Sequence, residues 1–504
     1  MTWTDKYTCG VKRRGMIVVL VVALLGGACS GTDDVPVVDP PVTATTTDET
    51  TSTTTSTTTT TTTTTVPREV SAAEGLGDSF YPYLGNGGYD VLHYKIDLYI
   101  DPDANTIQAL TTITARATQE LSEFNLDLSG LTVHAVTVDG STAEHSRYDT
   151  ELVVVPADPL AAGAEFVAEV SYSGSPEPIS DPGVPFFELG WHNIDGVIFT
   201  ANEPSGSMSW FPSNNHPTDK ATFEIRLTVP EPLTAASNGI LVEETSVDGY
   251  TTTTWRMDDP MATYLAAVYV GDFERIETDQ SDGPLIRDYV PRADSDQIIE
   301  ALRITPQVIR FYEDLLDPYP YEVYGSIVMP FSLGFALENQ TLSMHGRNMI
   351  DPFTVAHEIV HQWIGNSSTL QDWRETGLHE GLATYLSAMY MAEYHGWNLD
   401  EWTTDWHRQP ADTVAPLEIE ITEMFDASVY FIGAATLHAL RGFTGDSVFE
   451  EILRTHYQRS ANANTTTAAF LDIVTELAGR EAAELVESWL HEIPVPESVD
   501  PEIE

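Results

Sequence analysis

Apolar and polar residues alternate along the chain between Gly88 and Phe273 in the manner of half-buried strands. Residues 94–100, 111–117, 152–156 and 166–172 carry the alternation, and Gly, Pro and Asp turns stand between them. The pattern predicts an antiparallel β domain over 69–273. Past Phe273 one more strand-like piece leads into a helical pattern at 296–316, and residues 324–329 read as a further strand. The remainder is helix-rich, with a run over 378–394 that Gly396 is placed to stop. The expected fold class is therefore α+β, an N-terminal antiparallel β domain followed by a mixed α/β domain over 274–496.

His357-Glu358-Ile359-Val360-His361 lies in the helix-rich part. On a helix the two histidines stand one turn apart, so both imidazoles leave the same face and can hold one ion. Glu358 is offset by one position and points beside that ion, where a carboxylate can take a proton from an attacking water. Glu380 follows with 18 residues between it and His361, room for a turn and the start of a second helix that brings a third ligand. The spacing implies one Zn2+ per chain, held by His357, His361 and Glu380, with Glu358 as general base. A buried helix with satisfied histidines is the bland alternative, and a glutamate at this distance argues against it.

The flanking residues read HEIVHQWIGN over 357–366 and WRETGLHEGLATY over 373–385. In them the chain resembles the gluzincin aminopeptidases of the aminopeptidase N and leukotriene hydrolase family. Their third ligand follows the second histidine at this spacing, one residue less than in thermolysin-type enzymes. GNGGYDVLHYKIDL (85–98), WFPSNNHPTDKAT (210–222) and PMATYLAAVYVGDF (260–273) are similar to phrases of that family's N-terminal domain, so the resemblance runs from about Gly77 onward. It implies a thermolysin-like α/β catalytic domain after the β domain. The stretch after Tyr430 completes that domain, and no large C-terminal helical domain of the kind many relatives carry is expected, which implies a more open site.

The resemblance also implies roles. Val429-Tyr430-Phe431-Ile432-Gly433-Ala434 is similar to the segment whose tyrosine stabilises the oxyanion, with Ile432 where lysine is common, and this makes Tyr430 the oxyanion donor. Phe335-Ala336-Leu337-Glu338-Asn339 is similar to the family's Gly-Ala-Met-Glu-Asn signature, so Glu338 would grip the substrate amine. Phe335 replaces the first glycine, which leaves the shape of the neighbouring subsite open. Glu203 matches a second amine ligand, although Ala201 stands where glutamine is usual. His379 replaces a frequent asparagine and is not expected to bind metal, and Glu375 falls where an aspartate supports a zinc histidine. The activity implied is that of a zinc metalloaminopeptidase acting on peptides with a free N-terminus. An endopeptidase or a related hydrolase on the same frame is one alternative, since family members can also open epoxides in lipid substrates. A tethered binding module without chemistry is another, and it has no use for Glu358.

Before residue 69 the pattern changes. Lys6, Lys12, Arg13 and Arg14 precede an apolar run over 16–25, too short to span a bilayer and suited to an export leader. Gly26-Gly27-Ala28-Cys29 is similar to a bacterial lipoprotein cleavage site, with Gly26 where an aliphatic residue is usual. A signal peptide over 1–29 and a membrane anchor through lipidated Cys29 are expected, ordinary signal cleavage being the alternative. Residues 30–68, dominated by a threonine tract over 43–65, have no apolar face to bury and read as a disordered tether. The chain has 2 cysteines, Cys9 and Cys29, so no disulfide is expected in the exported enzyme. Net charge is −54, from 23 basic and 77 acidic residues, which argues against nucleic acid as a partner and reads as a solvated acidic coat.

Overall fold

The computed structural model describes residues 75–280, 283–406 and 414–492. The leader, Cys29 and the whole tether lie outside the described residues.

Strand Tyr89–Asp101 shows how the alternation becomes structure. Val91 is buried, and after it Tyr94, Ile96, Leu98 and Ile100. The buried positions change parity because the register against Thr106–Ala117 shifts between Val91 and His93, where the strand bulges. The Val91 amide at this bulge donates to Asp219 Oδ1 at 3.0 Å. The strand sits inside an eight-stranded sheet with the order Ile240–Val247, Tyr250–Met261, Ala221–Pro230, Tyr89–Asp101, Thr106–Ala117, Glu165–Gly174, Thr132–Val138 and Ser141–Thr142. Its neighbours pair antiparallel except Tyr89–Asp101 and Ala221–Pro230, which run parallel.

Burial pushes the Asp219 carboxyl up to about 8, against which the Val91 amide and the Asn214 side chain pull only in part. The folded chain thus keeps a proton that the unfolded chain releases near the ordinary value of 3.8. Stability from this group is greatest at low pH and declines as pH rises through that window towards 8. Asp219→Asn retains an acceptor for Val91 and removes the titration. Its thermal midpoint, followed from pH 5 to 8, is expected to fall less steeply than that of the unsubstituted protein; equal slopes would show that Asp219 is ionised in the fold.

Two smaller sheets carry the chain to the site. In the four-stranded sheet, Val197–Ala201 lies between Val268–Gly271 and Gly190–Ile194 and runs directly into Glu203. In the six-stranded mixed sheet, Ala336–Leu337 is the edge strand, pairs antiparallel with Ser343–His345 and delivers Glu338. The helix expected over 296–316 forms as two, Ser295–Leu302 and Thr305–Leu315. Pro306 has no N–H to offer the Leu302 carbonyl, so the ladder breaks between them.

Helices Ala427–Thr444, Asp446–Ser460, Thr467–Ala478 and Arg480–His491 form a substantial C-terminal helical region. This overturns the expectation of no large C-terminal helical domain, from which the more open site was inferred. The physical reason is that these helices need no core of their own. Leu440, Phe449, Ile452, Phe470 and Trp489 join the core that also holds Ile359 of helix Pro352–Val360 and Leu382 and Leu386 of helix Thr376–His395.

Candidate metal centre and substrate cleft

Helix Pro352–Val360 begins at Asp351, whose carboxylate accepts from the Phe353 and Thr354 amides at 3.1 and 3.2 Å, with Pro352 in the first turn where no donor is needed. His357 and Glu358 lie within it. His361 stands at its end, where the turn tightens and the Gln362 and Trp363 amides reach the Ile359 and Val360 carbonyls. Glu380 is on helix Thr376–His395, which ends at Gly396 in the left-handed conformation, φ 72°.

The Nε2 atoms of His357 and His361 are 3.1 Å apart, and Glu380 Oε2 lies 3.2 Å from the first and 3.5 Å from the second. A tetrahedral ion with bonds of about 2.0–2.1 Å separates its ligands by roughly 3.3 Å, so the three buried donors fit one zinc. Among the described residues this is the only such group of three His, Cys, Asp or Glu side chains. His361 Nδ1 meets the Ile364 carbonyl at 2.9 Å, which puts the ring proton there and turns the Nε2 lone pair towards the metal position.

The loop that follows is pinned carbonyl by carbonyl. Gly365 takes φ 124°, and a Cβ there would stand 2.8 Å from His361 Nδ1. Tyr264 donates its hydroxyl to the Gly365 carbonyl at 3.2 Å, and Lys220 Nζ donates to the carbonyls of Asn366 and Ser367 at 2.9 and 2.8 Å. Burial pushes the Lys220 pKa down to about 7. Nothing in the sequence marks Tyr264 or Lys220 for this supporting role.

Glu358, Glu338, Glu203 and Tyr430 line one cleft together with the triad. The Glu338 carbonyl accepts from Gln362 Nε2 at 2.9 Å and from Asn366 Nδ2 at 2.7 Å, so side chains that follow the zinc helix fix the edge strand. Three residues on, Thr341 sits at φ 66°, uncommon for a β-branched residue. Gln362 Oε1 holds its amide at 2.8 Å, and the Gly239 amide donates to its hydroxyl at 2.7 Å. Tyr430 arrives through a close helix crossing. A Cβ on Gly381 would stand 2.8 Å from Gly433 Cα, so both positions must be bare for helices Thr376–His395 and Ala427–Thr444 to approach. That approach sets the Tyr430 ring 6.2 Å from the His357 ring, centroid to centroid.

Burial, and after it the neighbouring carboxylates, pushes the pKa of Glu203 and Glu358 well up and raises that of Glu338. The same two causes keep the Tyr430 phenol protonated and able to donate. No lysine or arginine lines the cleft. His379 is buried, does not line the cleft and is outside the triad. Glu375 is half-buried and bonds to the backbone of Thr467. Phe335 and Ala201 both face the cleft, joined there by Val184, Phe187, Met349 and Phe425, which no sequence motif singles out.

Two histidines and a glutamate around one metal position, with a free carboxylate beside them, define a zinc metallohydrolase of the HExxH class. The chain belongs to peptidase family M1. Residues 91–265 match the Peptidase M1 N-terminal domain and residues 300–489 the Peptidase family M1 domain. An M1 zinc metallopeptidase from Deinococcus radiodurans is 32% identical with a TM-score of 0.79, over 84% of this chain and 99% of that one. A mutant of the Deinococcus radiodurans M1 zinc metallopeptidase bound to a Tyr-Ser-Ala substrate is 32% identical with a TM-score of 0.77, over 84% and 100%. Aminopeptidase M1-A of Oryza sativa subsp. japonica is 30% identical over 321 residues, 58% of this chain and 36% of that protein. The chain spans between 36% and 47% of the length of the curated relatives it matches.

Proposed function

We propose that the protein is a zinc aminopeptidase that removes residues from the free N-terminus of peptides. The observation that carries this is the pair Glu338 and Glu203, which line the cleft beyond the triad and beyond Glu358. With Glu380 a metal ligand and Glu358 working on water, two carboxylates remain, and no lysine or arginine of the cleft neutralises them. A substrate α-ammonium is the cation that suits them, through charge-assisted hydrogen bonds. The tripeptide bound by the Deinococcus radiodurans relative supports the same reading.

When bound, zinc polarises the scissile carbonyl and lowers the pKa of the attacking water. Glu358 takes the proton of that water and returns it to the leaving amine. Tyr430 donates its hydroxyl to the developing oxyanion. Glu338 and Glu203 hold the terminus, so the first peptide bond lies over the triad and the cleavage register follows from the end of the chain.

A peptide and its N-acetylated twin test this directly. Acetylation removes the cation and leaves buried carboxylates without a partner, so cleavage of the blocked twin should be slower by about tenfold or more. Glu338→Ala should erode that ratio by slowing the free-amine peptide. Internal cleavage of both peptides at similar rates, read by mass, would make the protein an endopeptidase. The proposal extends to location: the apolar run over 16–25 and the small residues before Cys29 support export and a lipid anchor. Cys29→Ala should then leave the membrane fraction for the soluble one, and unchanged fractionation would refute the anchor.

A further inference from the structure

Resting on the aminopeptidase reading, we propose that the cleft selects peptides whose N-terminal residue is large and apolar, aromatic or long aliphatic, and that Phe335 and Phe187 form the wall that selects it. Phe187 comes from the loop 179–189, whose ends are closed by reciprocal backbone bonds between Ile179 and Leu189, both 2.8 Å. Inside the loop, the Asp181 carboxylate accepts from the Tyr81 hydroxyl at 2.6 Å, from the Gly183 amide at 2.8 Å and from the Ser205 hydroxyl. Ser205 lies two positions after Glu203, so one carboxylate anchors both the loop and the amine-binding segment. The Phe187 ring meets the Phe335 ring edge-on at 4.8 Å. Behind Phe187 stands His192 at 4.7 Å, itself stacked on Phe199 at 4.9 Å. Phe187 is thus backed by two further rings.

The position of this wall determines what it reads. With the α-ammonium on Glu338 and Glu203, the side chain borne by the same carbon must lie against whatever flanks those two carboxylates. Ala201, which precedes Glu203 by two positions, and Phe335 and Leu337, just before Glu338, line the cleft together with Leu189, Val184 and Phe187, and all six are apolar. None offers a donor or acceptor to a charged or amide-bearing side chain. An acidic one also stands beside Glu338 and Glu203, and a basic one finds them already engaged. A large apolar side chain displaces water from the aromatic wall, at about fourfold in binding for each methylene buried. Phe335 stands where the resemblance calls for glycine, so this half of the wall belongs to this chain.

The test is a series of aminoacyl chromogenic substrates bearing Phe, Leu, Met, Ala, Gly, Arg or Glu, alongside calorimetric binding of free phenylalanine, alanine and arginine to zinc-loaded Glu358→Gln protein. The apolar trio should exceed the other four in kcat/KM by at least about tenfold, and phenylalanine should bind more tightly than alanine or arginine by a similar factor. Phe335→Gly should cut the Phe-to-Ala ratio by about fivefold or more, with Phe187→Ala as a second variant that reads the same wall from the other side. Arginine or glycine equal to the apolar trio overturns the inference, as does an unchanged ratio in both variants when they are soluble and zinc-loaded. If no free-amine substrate turns over while phenylalanine still binds selectively, the wall stands and the aminopeptidase reading falls.

Discussion

Glu358→Gln is expected to keep its zinc and to lose about a hundredfold to ten-thousandfold of kcat. The substitution leaves His357, His361 and Glu380 untouched, so the metal position keeps all three protein donors. It also leaves the backbone as it is: the Glu358 carbonyl that accepts from Gln362 Nε2 and Ser343 Oγ, both at 3.4 Å, does not depend on the side chain. What changes is proton affinity. The carboxylate sits in a cleft where burial, and after it Glu338 and Glu380, raise its pKa, and an amide of the same shape cannot take a proton at all. One negative charge fewer also eases the repulsion felt by Glu338 and Glu203, so ammonium binding should survive and KM should move much less than kcat. The measurement is kcat on a free-amine chromogenic peptide, with metal analysis of the same preparation. A near-normal kcat in a zinc-loaded variant would exclude Glu358 as the base.

The metal centre is legible in the sequence because its geometry is local. Two ligands share one helix face, and the third follows within a single turn and a second helix, so spacing alone carries the chemistry. Glu338, Glu203 and Tyr430 have no such local signature. Each is one carboxylate or phenol in an ordinary segment, recognisable only through resemblance, and the structure shows why the neighbours matter. Gly433, three residues after the tyrosine, meets Gly381, and Gln362 and Asn366 after the zinc helix hold the Glu338 backbone. The selectivity wall is illegible in principle, since Phe187 and Phe335 come from segments far apart in the chain and neither lies in a periodic pattern. The fold divides in the same way. Alternation finds the strands, yet it cannot distinguish the parallel pairing of Tyr89–Asp101 with Ala221–Pro230 from an antiparallel one. The extent of the C-terminal helical region has no local signature either. Its burial is visible only against the zinc-site helices on which it packs.

His361→Phe is expected to carry no zinc and to show no hydrolysis above background. Phenylalanine fills the ring's space but offers no lone pair, so the position would have only His357 and Glu380, too few donors for a protein zinc site. The loss reaches further than one ligand, because the Ile364 carbonyl, 2.9 Å from His361 Nδ1, would lose its partner as well. Glu203, Glu338, Glu358 and Glu380 would then share a cleft lined by no lysine or arginine and without the metal that offsets them. Stability should report this independently of activity. A metal that binds only the folded chain stabilises it by about 2.7 kcal/mol at a hundred times its Kd, so a chelator should lower the thermal midpoint of the unsubstituted protein, and added zinc should restore both midpoint and activity. In His361→Phe neither addition should move the midpoint, since no site is left to empty or fill. Full zinc occupancy in the variant would show that His361 is not a ligand. A chelator-sensitive midpoint would place a second metal site elsewhere in the molecule.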